Sequence, residues 1–112
     1  MSAGGRALLL ISIAVAGFAQ AQPLLSQSQP AAERQQQLLH LLRNDCGACH
    51  GMTRKGGLGL PLTAAALREK PDELLVATIL DGRAGTAMPP WRRFLTEAEA
   101  QWLVTLLKQD TP

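Results

Sequence analysis

Apolar and polar positions divide the chain into stretches of different period. From Ala7 to Phe18 the apolar residues run almost without interruption, broken only by Ser12 and Gly17. Arg6 precedes this run, and Ala19-Gln20-Ala21 follows it with the small-x-small pattern at which signal peptidase cuts. The run falls short of the roughly 18 apolar residues that a spanning helix needs. Residues 1–21 therefore read as a secretory signal peptide, cleaved after Ala21, and not as an anchor. Residues 22–32 are rich in Gln, Ser and Pro without a hydrophobic period, which predicts a flexible linker.

Beyond the linker the period becomes helical. Leu38, Leu39, Leu41 and Leu42 share one face of a helix predicted over Glu33 to Asn44, with Arg34, Gln35, Gln36 and Gln37 polar. Gly51, Gly56, Gly57, Gly59 and Pro61 then predict a loop from Gly51 to Leu62. Its glycines would let the backbone pass close to the edge of a flat cofactor, where a Cβ would clash. Thr63 is placed to cap a short helix, Ala64 to Glu69. Pro71 opens another at its first position, with Asp72 and Glu73 in the first turn and Leu74, Leu75, Thr78 and Ile79 as its buried face. Asp81-Gly82 ends it. Thr96 and Glu99 form a capping box at the head of the last helix, which runs to Gln109. Its apolar face comprises Trp102, Leu103, Leu106, Leu107 and, in part, Val104.

Composition narrows the picture. A chain of 112 residues with 46% hydrophobic but only 4% aromatic residues makes one small domain, short of the large side chains that close a core. A bulky apolar cofactor would supply that volume. The formal charge of +2 is too slight to argue for nucleic acid or a membrane surface.

The candidate chemistry begins where the first helix ends. Cys46-Gly47-Ala48-Cys49-His50 contains the only two cysteines and one of the two histidines. C-x-x-C-H is the attachment signature of a c-type haem. Two thiols at this spacing reach the two vinyl groups of one porphyrin, and the histidine beside the second thiol arrives under the iron as proximal ligand. A redox dithiol would need a βαβ context that the pattern lacks. A closed zinc site usually needs four ligands, and His50 and His40 alone do not supply the missing pair at a recognised spacing. His40 lies on the helix that carries His50, so it reads as an ordinary helix histidine. The glycine-rich loop has neither the preceding strand nor the Gly-Lys-Ser/Thr ending of a phosphate loop. A backbone carbonyl near Leu60 or Pro61 is placed to accept from the second nitrogen of His50.

A second stretch complements the first. In Arg83-Ala-Gly-Thr-Ala-Met-Pro-Pro-Trp91, Met88 is stiffened by the prolines that follow it. Met1 begins the chain and Met52 lies two residues past His50, so Met88 is the methionine distant enough to approach the opposite face of the iron. A core position is the usual fate of a methionine, and the loop context argues against it here. Trp102 reads as a core residue packing on the first helix and the haem edge.

These motifs resemble those of a small class I cytochrome c across residues 31–110. The stretches "CGACHGMTRKGGLGLPLT", "LLVATILDGRAGTAMPPW" and "FLTEAEAQWLVTLL" are similar to the cytochrome c55X (NirC) group of denitrifying bacteria. The resemblance implies an all-α fold of about four helices around one covalently attached haem c, the first and last helices crossing, over 33–110. It implies Cys46 and Cys49 as thioether anchors, His50 as proximal ligand and Met88 as distal ligand. Leucines stand on the first helix, and Leu106 on the last, where many class I cytochromes carry Gly, Phe and an aromatic residue.

With both axial positions filled by protein, the expected role is electron transfer and not catalysis at haem. The resemblance implies a periplasmic monomer that delivers single electrons to the haem-d1-containing nitrite reductase. An accessory electron acceptor in maturing that reductase uses the same site and stays open. A haem enzyme or gas sensor would need Met88 to leave the iron. Arg54 and Lys55, with Arg92 and Arg93, are candidates for a basic ring that docks an acidic partner.

Overall fold

The computed structural model describes residues 29–109, with Met1 and Gly17 as isolated positions besides. The expected signal peptide and most of the linker lie outside the described residues.

The first helical body is longer than its leucine period predicts. α1, Ala32–Leu41, passes into a π-helical turn, Leu42–Cys46, and continues as α2, Gly47–His50. In the wide turn the Gly47 N–H reaches back to the Leu42 carbonyl, so one extra residue is accommodated. The expected end at Asn44 is corrected: the whole cysteine motif is helical. Gly51 stops the helix with φ +90°, a conformation that side-chain-bearing residues avoid. Leu38, Leu42 and Cys46 keep one stripe at four-residue spacing; the leucines are buried and Cys46 packs half-buried against the same core.

α3 spans Ala64–Leu67 and is shorter than predicted, with a turn closing it through Lys70 N–H to the Leu67 carbonyl at 3.0 Å. The Thr63 hydroxyl accepts from Ala66 N–H at 3.3 Å, the expected cap. α4 spans Asp72–Asp81, with Pro71 just outside it and Gly82 ending it at φ +72°. Its buried residues are Val76 and Leu80 rather than the predicted stripe. Leu75 and Ile79 pack at the margin of the core, and Leu74 is 56% exposed. Apolar residues surround most of this helix, so its period could not choose a face; packing chose it. α5 spans Glu97–Lys108 and has both halves of its capping box, Glu99 N–H to Thr96 Oγ1 at 3.2 Å and Thr96 N–H to Glu99 Oε2 at 2.8 Å.

One core gathers these elements. Leu38, Leu42, Leu67, Val76, Leu80, Leu95, Ala100, Leu103, Val104 and Leu107 form a single buried cluster, with Trp91 and Trp102 against it. Polar clips fix the outer geometry. Arg34 on α1 pairs with Glu99 on α5 at 2.6 Å and donates to the Phe94 carbonyl at 2.9 Å. Lys108 on α5 pairs with Asp72 on α4 and donates to the Lys70 carbonyl at 2.6 Å. Among the described residues there is no strand, and no helix is long and apolar enough to cross a membrane. Among the described residues the fold is all-α.

Candidate haem site

The helix ending at His50 and the loop after it form one compact unit. Gly56 N–H donates to the His50 carbonyl at 2.9 Å and Gly59 N–H to the Cys49 carbonyl at 2.7 Å. These acceptors are terminal helix carbonyls that lack intrahelical donors, so the loop satisfies them by folding back under the motif. The return places the Leu60 carbonyl 2.7 Å from His50 Nδ1, which donates to it. That bond fixes the ring's orientation and leaves Nε2 as the free nitrogen.

Gly59 completes the seat. A Cβ at this position would stand 2.7 Å from both Cε1 and Nδ1 of His50. The glycine loop is expected to pass a cofactor edge; the close approach that the structure shows is made at Gly59 to the imidazole itself. Periodicity carries no signal for this, although a glycine next to the residue that accepts from His50 is a sequence cue in retrospect. At Gly57 a Cβ would stand 2.8 Å from the Cys49 carbonyl oxygen, so the loop is packed backbone to backbone there too.

The two thiols differ. Cys49 is exposed, while burial pushes the Cys46 thiol up to about 11, with the Asp45 carboxylate adding to the rise. A reactive dithiol is activated by a shift the other way. Among the described residues, no group of three or more His, Cys, Asp or Glu side chains is arranged to hold a metal ion. The donor set suits thioether anchoring: two thiols on a helix that ends in a tethered imidazole with its other nitrogen free.

Met88 lies half-buried in the loop between α4 and α5. Trp91 N–H donates to the Ile79 carbonyl at 3.0 Å and Arg92 N–H to the Leu80 carbonyl at 3.1 Å, fastening the far end of this loop to the last turn of α4. His40 is exposed on α1 and hydrogen-bonds with Asn44, apart from the motif chemistry. Of the expected basic ring, Lys55 and Arg93 are exposed. Arg92 instead binds Asp81 with Nε at 2.9 Å and Nη2 at 2.7 Å. Arg54 is half-buried with φ +61°, its N–H donating to the Gly51 carbonyl and its carbonyl accepting from Leu62 N–H, both at 2.8 Å.

What this arrangement can do chemically is hold one haem covalently beside a fixed imidazole, and that sets the protein among the c-type cytochromes. A family model described as "Cytochrome C oxidase, cbb3-type, subunit III" matches residues 33–107. Cytochrome c55X of Paracoccus denitrificans (strain Pd 1222) is 50% identical over 105 residues, covering 93% of this chain and 96% of the relative. Cytochrome c55X of Pseudomonas aeruginosa is 56% identical over 90 residues, covering 80% and 76%. The solved structure of a c-type cytochrome NirC superposes with a TM-score of 0.71 at 56% identity, covering 72% of this chain and 95% of that one. The chain belongs to the cytochrome c55X family. As a c-type cytochrome it carries haem c, attached covalently, and serves electron transfer.

Proposed function

We propose that this protein is a periplasmic one-electron carrier of denitrification that reduces the haem-d1 nitrite reductase. Residues 1–21 would direct export, and residues 33–110 would be the working domain. In this reading Cys46 and Cys49 would hold the haem through thioethers, and His50 and Met88 would be the protein ligands of its iron. When bound, the haem supplies a ferrous/ferric couple that takes up and gives up one electron.

The chain's own residues do the rest. The observation that supports the reading best is the 2.7 Å bond from His50 Nδ1 to the Leu60 carbonyl, because it fixes the ring and aims Nε2. With the Met88 thioether as a second protein ligand beside His50, no place would be left for substrate on the iron. A neutral thioether brings no charge to the ferric state, which favours a positive potential suited to a donor for a terminal reductase. Of the four residues expected to form a basic ring, Lys55 and Arg93, both exposed, would steer an acidic partner.

The test is rapid mixing of the reduced holoprotein with oxidised haem-d1 nitrite reductase at low and high salt. Fast oxidation that slows with salt is expected. Failure of transfer while a general cytochrome donor works would discard the shuttle and leave the maturation role.

A further inference from the structure

The segment from Gly82 to Arg92 is braced at both ends. Its far end is fastened to α4 through Trp91 and Arg92, as described above. Its near end is closed by Arg83 N–H donating to the Met88 carbonyl at 3.2 Å. Gly82 permits this closure, since a Cβ there would stand 2.7 Å from Met88 O and 3.0 Å from Pro90 N. Between these braces lies Thr86. Its hydroxyl donates to the Arg83 carbonyl at 2.8 Å and accepts from Met88 N–H at 3.3 Å. Its own N–H donates to the same Arg83 carbonyl at 3.1 Å. One small side chain therefore joins the base of the loop to the backbone of Met88.

We propose that Thr86 is a positioning residue for Met88, its hydroxyl clipping the loop in the conformation that presents the thioether to iron. This rests on the assignment of Met88 as distal ligand. Both polar groups of the Met88 backbone are engaged, the N–H by Thr86 and the carbonyl by Arg83. The residue can leave its place only when the clip opens. Valine at position 86 keeps the branched shape and removes both hydroxyl bonds, whereas serine keeps the hydroxyl. Thr86 is exposed, so neither change disturbs the core.

The test is a titration of the ferric holoprotein with imidazole, followed through the methionine-to-iron charge-transfer absorption. An external ligand enters only when the loop opens, so its apparent affinity rises in proportion to the open fraction. Thr86→Val is expected to bind imidazole about five- to tenfold more tightly than the parent, and Thr86→Ser within about twofold of it. Far-ultraviolet circular dichroism should be the same for all three. Equal affinity of Thr86→Val and the parent would overturn the proposal. So would equal shifts in the valine and serine variants, which would mark a packing role. Met88→Leu separates the underlying assignment. If the absorption is missing from the parent or survives in Met88→Leu, Met88 is not the ligand. If it is present in the parent and lost in Met88→Leu while Thr86→Val changes nothing, only the role of Thr86 fails.

Discussion

His50 is held on two sides by consecutive residues of one loop, Gly59 against the ring and Leu60 through its carbonyl. Gly59 bears no positive φ, so its requirement is steric and not conformational. Gly59→Ala must move either the imidazole or a loop pinned to Cys49, and overpacking of this kind costs about 1–3 kcal/mol. We expect a lower unfolding temperature. We also expect a higher reduction potential, since a weakened bond to Leu60 makes the ring a poorer electron donor to ferric iron. Voltammetry of the variant beside the parent checks this; an unchanged potential would mean that the loop yields and the ring stays. The motif Cys46 to His50 could be read from residue types alone, because its chemistry is local in the chain. The seat of the imidazole could be narrowed only to a carbonyl near Leu60 or Pro61, because two neighbouring residues differ in direction and not in type.

Helices here are joined by ion pairs at their ends and by one apolar cluster at their centre. Glu99 serves two elements at once, capping α5 through Thr96 and pairing with Arg34 of α1. The hydrogen bond from Arg34 holds the Glu99 carboxyl below the usual carboxylate range. Lys108 does the same for Asp72 at the other end of α5. A carboxyl whose pKa is lowered by folding contributes stability that is complete above its unfolded value, near 4.3, and is lost as the pH falls through the folded value. Thermal stability should therefore drop between about pH 5 and pH 2, and Glu99→Gln should flatten that slope while lowering stability at neutral pH. Melting curves across this range check it; an unchanged slope would show that Glu99 contributes nothing to acid sensitivity. In the centre, Leu38 is wholly buried, and Leu38→Ala should cost about 2–5 kcal/mol in denaturant unfolding of the holoprotein. The capping box and the Thr63 cap were legible because each lies within four residues. The π-helical turn was not, since no composition signal distinguishes it from an ordinary helical turn.

At the scale of the whole molecule, charge is arranged differently from its order along the chain. Arg92 and Arg93 are adjacent and chemically identical, yet Arg92 is bound to Asp81 and Arg93 is exposed without that partner. Within the proposed docking role, Arg93→Glu and Lys55→Glu should slow electron transfer to an acidic partner and flatten its salt dependence. Neutral Arg92→Gln should change the low-salt rate less than Arg93→Gln. Stopped-flow rates for the four variants would decide it, and equal effects at positions 92 and 93 would show that the Asp81 pair does not withhold Arg92 from docking.

By itself the sequence determined what depends on neighbours in the chain: the C-x-x-C-H spacing, the capping residues, the proline-flanked methionine loop, and the helical period of the first and last helices. Tertiary structure alone decided which face of α4 is buried, which carbonyl accepts the hydrogen bond from His50, which of two arginines is engaged, and how Arg34 meets Glu99. The reason is physical. Local propensities and motif spacings act over a few residues, whereas burial and ion pairing are settled by segments as far apart as Arg34 and Glu99 competing for the same neighbours.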